Sequence, residues 1–141
     1  MRKLLWAPSK EVVEDSNMMS YMKYVNSEYG FDFKNYAALY RWSVEKPMDF
    51  WGSLWNFFDI KCSEPYASAA EDISEFMKTR WFVGAKLNYA ENMLSYSNLD
   101  PPAIIFRGES DVRSEISHKE LYTQVTRLAR AMQTDGIRAG D

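Results

Sequence analysis

The sequence predicts an α+β fold: a mostly helical N-terminal part, then a β-hairpin and a long helix that open an α/β unit. Three observations predict it. Apolar residues recur at helical spacing between about 16 and 58, punctuated by Gly30, Asn35 and Pro47. A short apolar run, Ala103-Ile104-Ile105-Phe106, is followed by a turn and a weakly alternating segment. A capping sequence, Ser117-His118-Lys119-Glu120, then opens the best helical pattern in the chain.

Taken in order, residues 1–14 read as an extended arm and an indefinite segment, with Trp6 available to pin the arm to the body. The first clear helix is about 16–29. Asp15 or Ser16 caps it, and Gly30 stands just past its end. Met18, Met22 or Tyr21, Val25 and Tyr29 mark its buried face. A second helix is expected at about 35–45, capped by Asn35. Pro47 breaks the chain and suits the first position of a third helix, about 47–58. There Trp51, Leu54, Trp55 and Phe58 form one stripe, and Phe50 and Phe57 widen it beyond a normal amphipathic face.

Glu64-Pro65 marks a turn, and Ala67 to Met77 reads as a short, acidic, weak helix. Trp81-Phe82-Val83-Gly84 reads as extended chain with a turn. Asn88-Tyr89-Ala90-Glu91 has the capping-box spacing and predicts a helix at about 89–97, stopped by Asp100-Pro101-Pro102. Residues 103–116 read as a hairpin with its turn at Gly108 to Asp111. Helix 118–135 carries Leu121, Val125, Leu128 and Met132 on one face and stops at Gly136. Ile137 to Asp141 looks like a lead-in to another strand. A helix of this kind needs a sheet to cover, and one hairpin is thin cover, so an unfinished fold is expected.

Composition narrows the function classes. A length of 141 residues fits one domain, so a complete two-domain enzyme is not expected within it. Hydrophobic residues at 46% and charged residues at 26% argue against a disordered chain. A net charge of −3 excludes a strongly basic nucleic-acid binder. Aromatic residues reach 16%, enough for a sizeable core and for apolar surface that one small domain cannot hide. The apolar run after Arg2-Lys3 ends at Pro8, too short for a signal peptide, and no stretch suits a membrane span. Cys62 is the only cysteine, which suits a reducing compartment; the cytoplasm is the expected location.

No candidate for chemistry survives inspection. His118 stands at a helix start, where it is expected to be exposed, with no nucleophile or metal partner. Cys62 follows Lys61, yet no base or second thiol is identifiable beside it. The carboxylates Glu11, Glu14 and Asp15, and Glu71, Asp72 and Glu75, fall in polar surroundings and read as solvated faces. Trp42, Phe50, Trp51, Trp55, Phe57 and Phe58 lack the interleaved basic residues of a nucleic-acid stacking platform; packing in a core or interface is expected. Gly84 lacks the companions of a phosphate loop.

Three stretches carry a resemblance. Leu39-Tyr40-Arg41-Trp42-Ser43-Val44-Glu45 is followed by Asp49-Phe50-Trp51, Trp55 and Phe57. Trp81 to Leu94 has the form W-F-x-G-x-x-L-N-Y-A-E-N. Ile116 to Leu121 runs on to Gly136 through Asp141. In this order and spacing, with Leu5-Trp6-Ala7-Pro8 ahead of them, they resemble the N-terminal region of acetoacetyl-CoA synthetases, within the adenylate-forming acyl-CoA synthetases. Acetyl-CoA synthetases look similar, but usually have Gly where Ala85 stands and lack the Tyr-Ala-Glu run. Met93 stands where the family usually has Leu, a volume-conserving change.

The resemblance implies a helical N-terminal cap over residues 1–100 and, over 101–141, the incomplete start of the large AMP-binding domain. It implies an α+β fragment whose hairpin and long helix begin the large α/β domain of an adenylate-forming enzyme. For the parent enzyme it implies ligation of acetoacetate to CoA with ATP and Mg²⁺. The family's phosphate loop, nucleotide contacts, Mg²⁺-binding acid and C-terminal lysine match nothing here. No catalytic, cofactor-binding or metal residue is therefore assigned, and no cofactor is expected in this chain. Trp42, Trp51, Trp55, Trp81 and Phe82 are expected to knit the cap together. The remainder of the large domain is the expected partner, without nucleic acid or membrane, and the chain by itself is expected to self-associate. A second reading is a free-standing protein-interaction module with an exposed aromatic surface. A small enzyme using Cys62 or His118 is the remotest reading.

Overall fold

The structure, a computed structural model, describes residues 5–95, 98, 101–138, 140 and 141. The chain divides into two compact units at Leu87/Asn88.

The first unit begins with helix α1, Lys10–Glu14, where an indefinite segment was expected; the Ser9 hydroxyl accepts from Val12 N and starts it. Trp6 is 76% exposed, so it does not pin the arm to the body. Helix α2, Asn17–Tyr29, starts at Ser16, whose hydroxyl accepts from Met19 N. It ends at Gly30, which takes φ 68°, the left-handed conformation that glycine adopts without a Cβ penalty. Helix α3, Tyr36–Glu45, has the Asn35 side chain accepting from Ala38 N. Helix α4, Pro47–Phe57, has Pro47 at its first turn, where the missing N–H costs nothing.

The core joins α2 to α3 through Tyr21, Met22, Val25, Leu39 and Trp42, with Phe50, Leu54 and Phe57 of α4 packed against it. Met18 and Tyr29, expected on the buried face, are instead 49% and 39% exposed. The contact with α3 and α4 is centred on the middle of α2, so its two ends overhang. Asn26 closes the loop into α3. Its amide donates to Phe33 O and accepts from Phe33 N, at 3.1 and 2.9 Å, in the manner of a strand partner.

Residues 67–77 are not a helix. Strand β1, Ser68–Glu71, pairs antiparallel with strand β2, Arg80–Val83, with Ala70 opposite Trp81. A single 3-10 turn, Phe76–Lys78, is the only helical part of the expected segment. The reason is tertiary. Ala69 and Ala70 are buried, small enough for β1 to lie close against α4. A Cβ at Gly52 of α4 would come within 3.3 Å of the Tyr66 hydroxyl, so this contact also uses a glycine. Arg80 pairs with Glu71 and, at 3.7 Å, with Asp72, tying the ends of the ribbon. Beyond β2, Ala85 N bonds Phe82 O across a turn in which Gly84 takes φ 85°.

The second unit begins with helix α5, Tyr89–Leu94, whose cap Asn88 accepts from Ala90 N and Glu91 N. The expected continuation through residues 96 and 97 and the stop at Asp100 lie outside the described residues. Strands β3, Pro102–Arg107, and β4, Arg113–Ser117, form the antiparallel hairpin. Helix α6, His118–Thr134, starts at Ser117, whose hydroxyl accepts from Glu120 N, and packs on both strands. Gly136 follows it at φ 94°. The last residues do not start a strand. Arg138 and Asp141 bond each other across a turn; Ala139 lies outside the described residues.

Candidate functional site

Helix α4 organises the aromatic face. Read around its axis it has three stripes. Phe50, Leu54 and Phe57 face the core. Asp49, Gly52, Ser53 and Asn56 form a polar stripe. Trp51, Trp55 and Phe58 form the third. The expected single broad stripe is thus two apolar stripes that serve different neighbours.

Ser53 is fully buried on the polar stripe and satisfied. Its hydroxyl lies 2.8 Å from Phe50 O and 2.5 Å from Tyr21 Oη, and the phenol lies 3.4 Å from the same carbonyl, so either hydroxyl can donate to the other. Burial raises the Tyr21 phenol above its ordinary range, and the Ser53 hydrogen bond opposes that shift. Tyr24, beside it, is raised for the same reason. Neither phenol is poised for proton transfer near neutral pH.

The third stripe meets the ribbon. Trp51 packs edge-on to Trp81 at 5.7 Å between ring centroids. Trp55 lies 4.8 Å from Phe82 and 5.2 Å from Tyr66. Trp42 reaches Phe50 at 5.8 Å, and Phe50 reaches Trp51 at 5.3 Å. The residues of the expected aromatic framework thus fall into two ring clusters, Trp42–Phe50–Trp51–Trp81 and Trp55–Tyr66–Phe82, both carried on α4. Phe82 takes φ 48°, a region that bulky residues rarely occupy, with its ring packed between Trp55 and Tyr66. No sequence signal announces that conformation.

The framework is not closed. An apolar groove of about 350 Å³ runs between Trp51, Leu54, Trp55, Phe58, Phe82 and Leu87. A second cavity, of about 490 Å³, opens along the polar stripe of α4.

The residues considered for chemistry stay apart. His118 is half-buried at the first turn of α6 rather than exposed, since α6 lies against the hairpin. Cys62 is a free, half-buried thiol. Glu14 pairs with Lys10, Glu75 with Lys78 and Glu71 with Arg80. Among the described residues no group of three or more His, Cys, Asp or Glu side chains could hold a metal ion. Among them, too, no helix is long and apolar enough to cross a membrane.

Comparison with known proteins places this arrangement. The family profile described as the acetyl-coenzyme A synthetase N-terminus matches residues 36–93, which include α3, α4, the β1–β2 ribbon and all but the last residue of α5. The chain is 35% identical to the acetoacetyl-coenzyme A synthetase of Rhizobium meliloti over 97% of its own length and 21% of that protein. It is 34% identical to the Danio rerio acetoacetyl-CoA synthetase over 99% of its length and 21% of that protein. The solved acetoacetyl-CoA synthetase of Streptomyces lividans superposes with a TM-score of 0.80 at 32% identity, covering 99% of this chain and 22% of that one. The chain thus spans about a fifth of the relatives it matches.

Proposed function

Because the chain is a relative of the N-terminal region of the acetoacetyl-CoA synthetases over nearly its whole length, we propose that it is the N-terminal segment of an ATP-dependent acid–CoA ligase. The whole protein would join acetoacetate to ATP, giving an acyl-adenylate and pyrophosphate. The CoA thiol would then displace AMP. Adenylation turns a poor leaving group into a good one, and Mg²⁺ would offset the negative charge of the phosphates. The described residues do not fit that ion, so no step through it is placed on this chain.

The role of the chain is structural. Residues 1–100 form the helical cap and 101–141 begin the large domain. The remainder of that domain is the partner, in the cytoplasm, and no catalytic, nucleotide-binding or metal residue lies in this segment. The observation that carries the reading is the end-to-end match, with one-fifth coverage of each relative and the same fold. Alone, the chain self-associates through apolar faces that the rest of the enzyme would cover.

Two measurements test this. The purified chain, given ATP, CoA, acetoacetate and Mg²⁺, is expected to release no AMP and to form no thioester. Turnover would overturn the structural role. Coding sequence beyond codon 141 is expected to carry a Gly- and Ser/Thr-rich phosphate loop. A stop codon there would favour a free-standing interaction module instead.

A further inference from the structure

The hairpin of the second unit leaves a charged strand edge bare. Among the described residues, β4 pairs with β3 alone. Gly108 N donates to Val112 O at 2.9 Å, and this bond sets the alternation along the strand. Ser114 and Ile116 turn their backbone groups towards β3. Arg113 and Glu115 turn their N–H and C=O groups outward, where another strand can take them up.

The side chains on this edge are unbalanced within one molecule. Arg113 stands opposite Arg107, and Glu115 stands opposite Ile105. Like charges directly across a ladder repel. Among the described residues, none of the Arg107, Arg113 and Glu115 side chains makes an ion pair. Arg113 and Glu115 are two residues apart and so share one face of the strand. Opposite charges at that spacing complement an antiparallel strand of the same sequence. With Ser114 opposite Ser114, each Arg113 faces the second copy's Glu115, and each Val112 faces the second copy's Ile116. Centring the pair on Glu115 instead sets two carboxylates against each other, so charge selects the register.

We propose that the outer edge of β4 is a docking site for a second copy of this chain. The two hairpins form one antiparallel sheet in the order β3-β4-β4-β3, related by a two-fold axis perpendicular to it at Ser114. A single hairpin is a marginal sheet, whereas four strands beneath two helices make a full two-layer unit. The axis sets both α6 helices on the same face. Each α6 packs on both strands of its own hairpin, so the two helices are separated by two strand spacings, about 10 Å. Packed helices lie about 8–10 Å apart, so the exposed apolar residues of α6, Leu128 among them, gain a neighbour. This contact deepens the self-association proposed above and rests on it.

The test is sedimentation equilibrium of the 141-residue chain, of Arg113→Glu, of Glu115→Arg, and of an equimolar mixture of the two variants. The unaltered chain is expected to form dimers. Each variant alone carries two like charges on the edge and is expected to dimerise at least about ten-fold more weakly. In the mixture an acidic edge meets a basic one, and dimers of unlike copies are expected at the strength of the unaltered chain. That recovery separates a lost contact from a lost fold. A clean monomer of the unaltered chain would overturn both the self-association and this contact. Undiminished association of both variants would put it on another surface and overturn this contact alone. Variants that stay weak when mixed would overturn the pairing of Arg113 with Glu115, and with it the proposal.

Discussion

Leu39 and Tyr21 show what single residues contribute. Leu39 is 2% exposed between α2 and α3, so truncation leaves a cavity as well as lost contacts. Leu39→Ala is expected to destabilise the first unit by about 3 kcal/mol, read from the shift of its urea midpoint. Tyr21 gives a pH dependence. Its phenol is raised by burial, so the folded chain keeps that proton while the unfolded chain starts to lose it near pH ~10. The unfolded state then binds fewer protons, and stability falls as pH rises above that point. Below it the contribution is fully present. Tyr21→Phe is expected to lower stability by about 1 kcal/mol at neutral pH, through the lost bond to Ser53, and to flatten the alkaline loss. Thermal melts at pH 8 to 11 (about that range) would show both effects.

At the scale of elements, caps were legible and the ribbon was not. Ser16, Asn35, Asn88 and Ser117 each act where the sequence placed them, because a cap is a bond between near neighbours. Asn88→Ala is expected to cost about 1 kcal/mol, seen as earlier loss of helical circular dichroism in the second unit. Strand β1 is different. Ser68-Ala69-Ala70-Glu71 carries no strand propensity and is extended because β2 pairs with it and α4 covers it. Ala70→Leu would press into that contact and is expected to cost 1–3 kcal/mol (roughly), measured by denaturation. On a free, weakly helical segment the same change would be neutral or stabilising. The two stripes of α4 were likewise legible as one broad apolar surface, since periodicity locates a face without saying how many neighbours divide it.

For the whole molecule, what matters is the apolar surface left uncovered. Leu128 of α6 is 58% exposed and Ile105 of β3 is 68% exposed, and Val125 and Met132 extend the face. In the first unit the groove beside Trp51 and Trp55 is lined almost entirely by carbon. Exposed faces of this kind are association sites. Sedimentation is expected to show concentration-dependent association of the chain, weakened by Leu128→Lys. A clean monomer at high concentration would exclude it.

The sequence by itself determined the extents of α2, α3, α4 and α6, the capping residues of α2, α3, α5 and α6, the hairpin, and the similarity to acetoacetyl-CoA synthetases. All of these rest on local bonds or on residue order. Only the tertiary structure decided that Ala69 and Ala70 form a strand, that Phe82 adopts a strained backbone beside Trp55, and that Asn26 bonds Phe33. Those outcomes depend on which distant segments meet, and contact energy between such segments outweighs the small local preferences that a sequence displays.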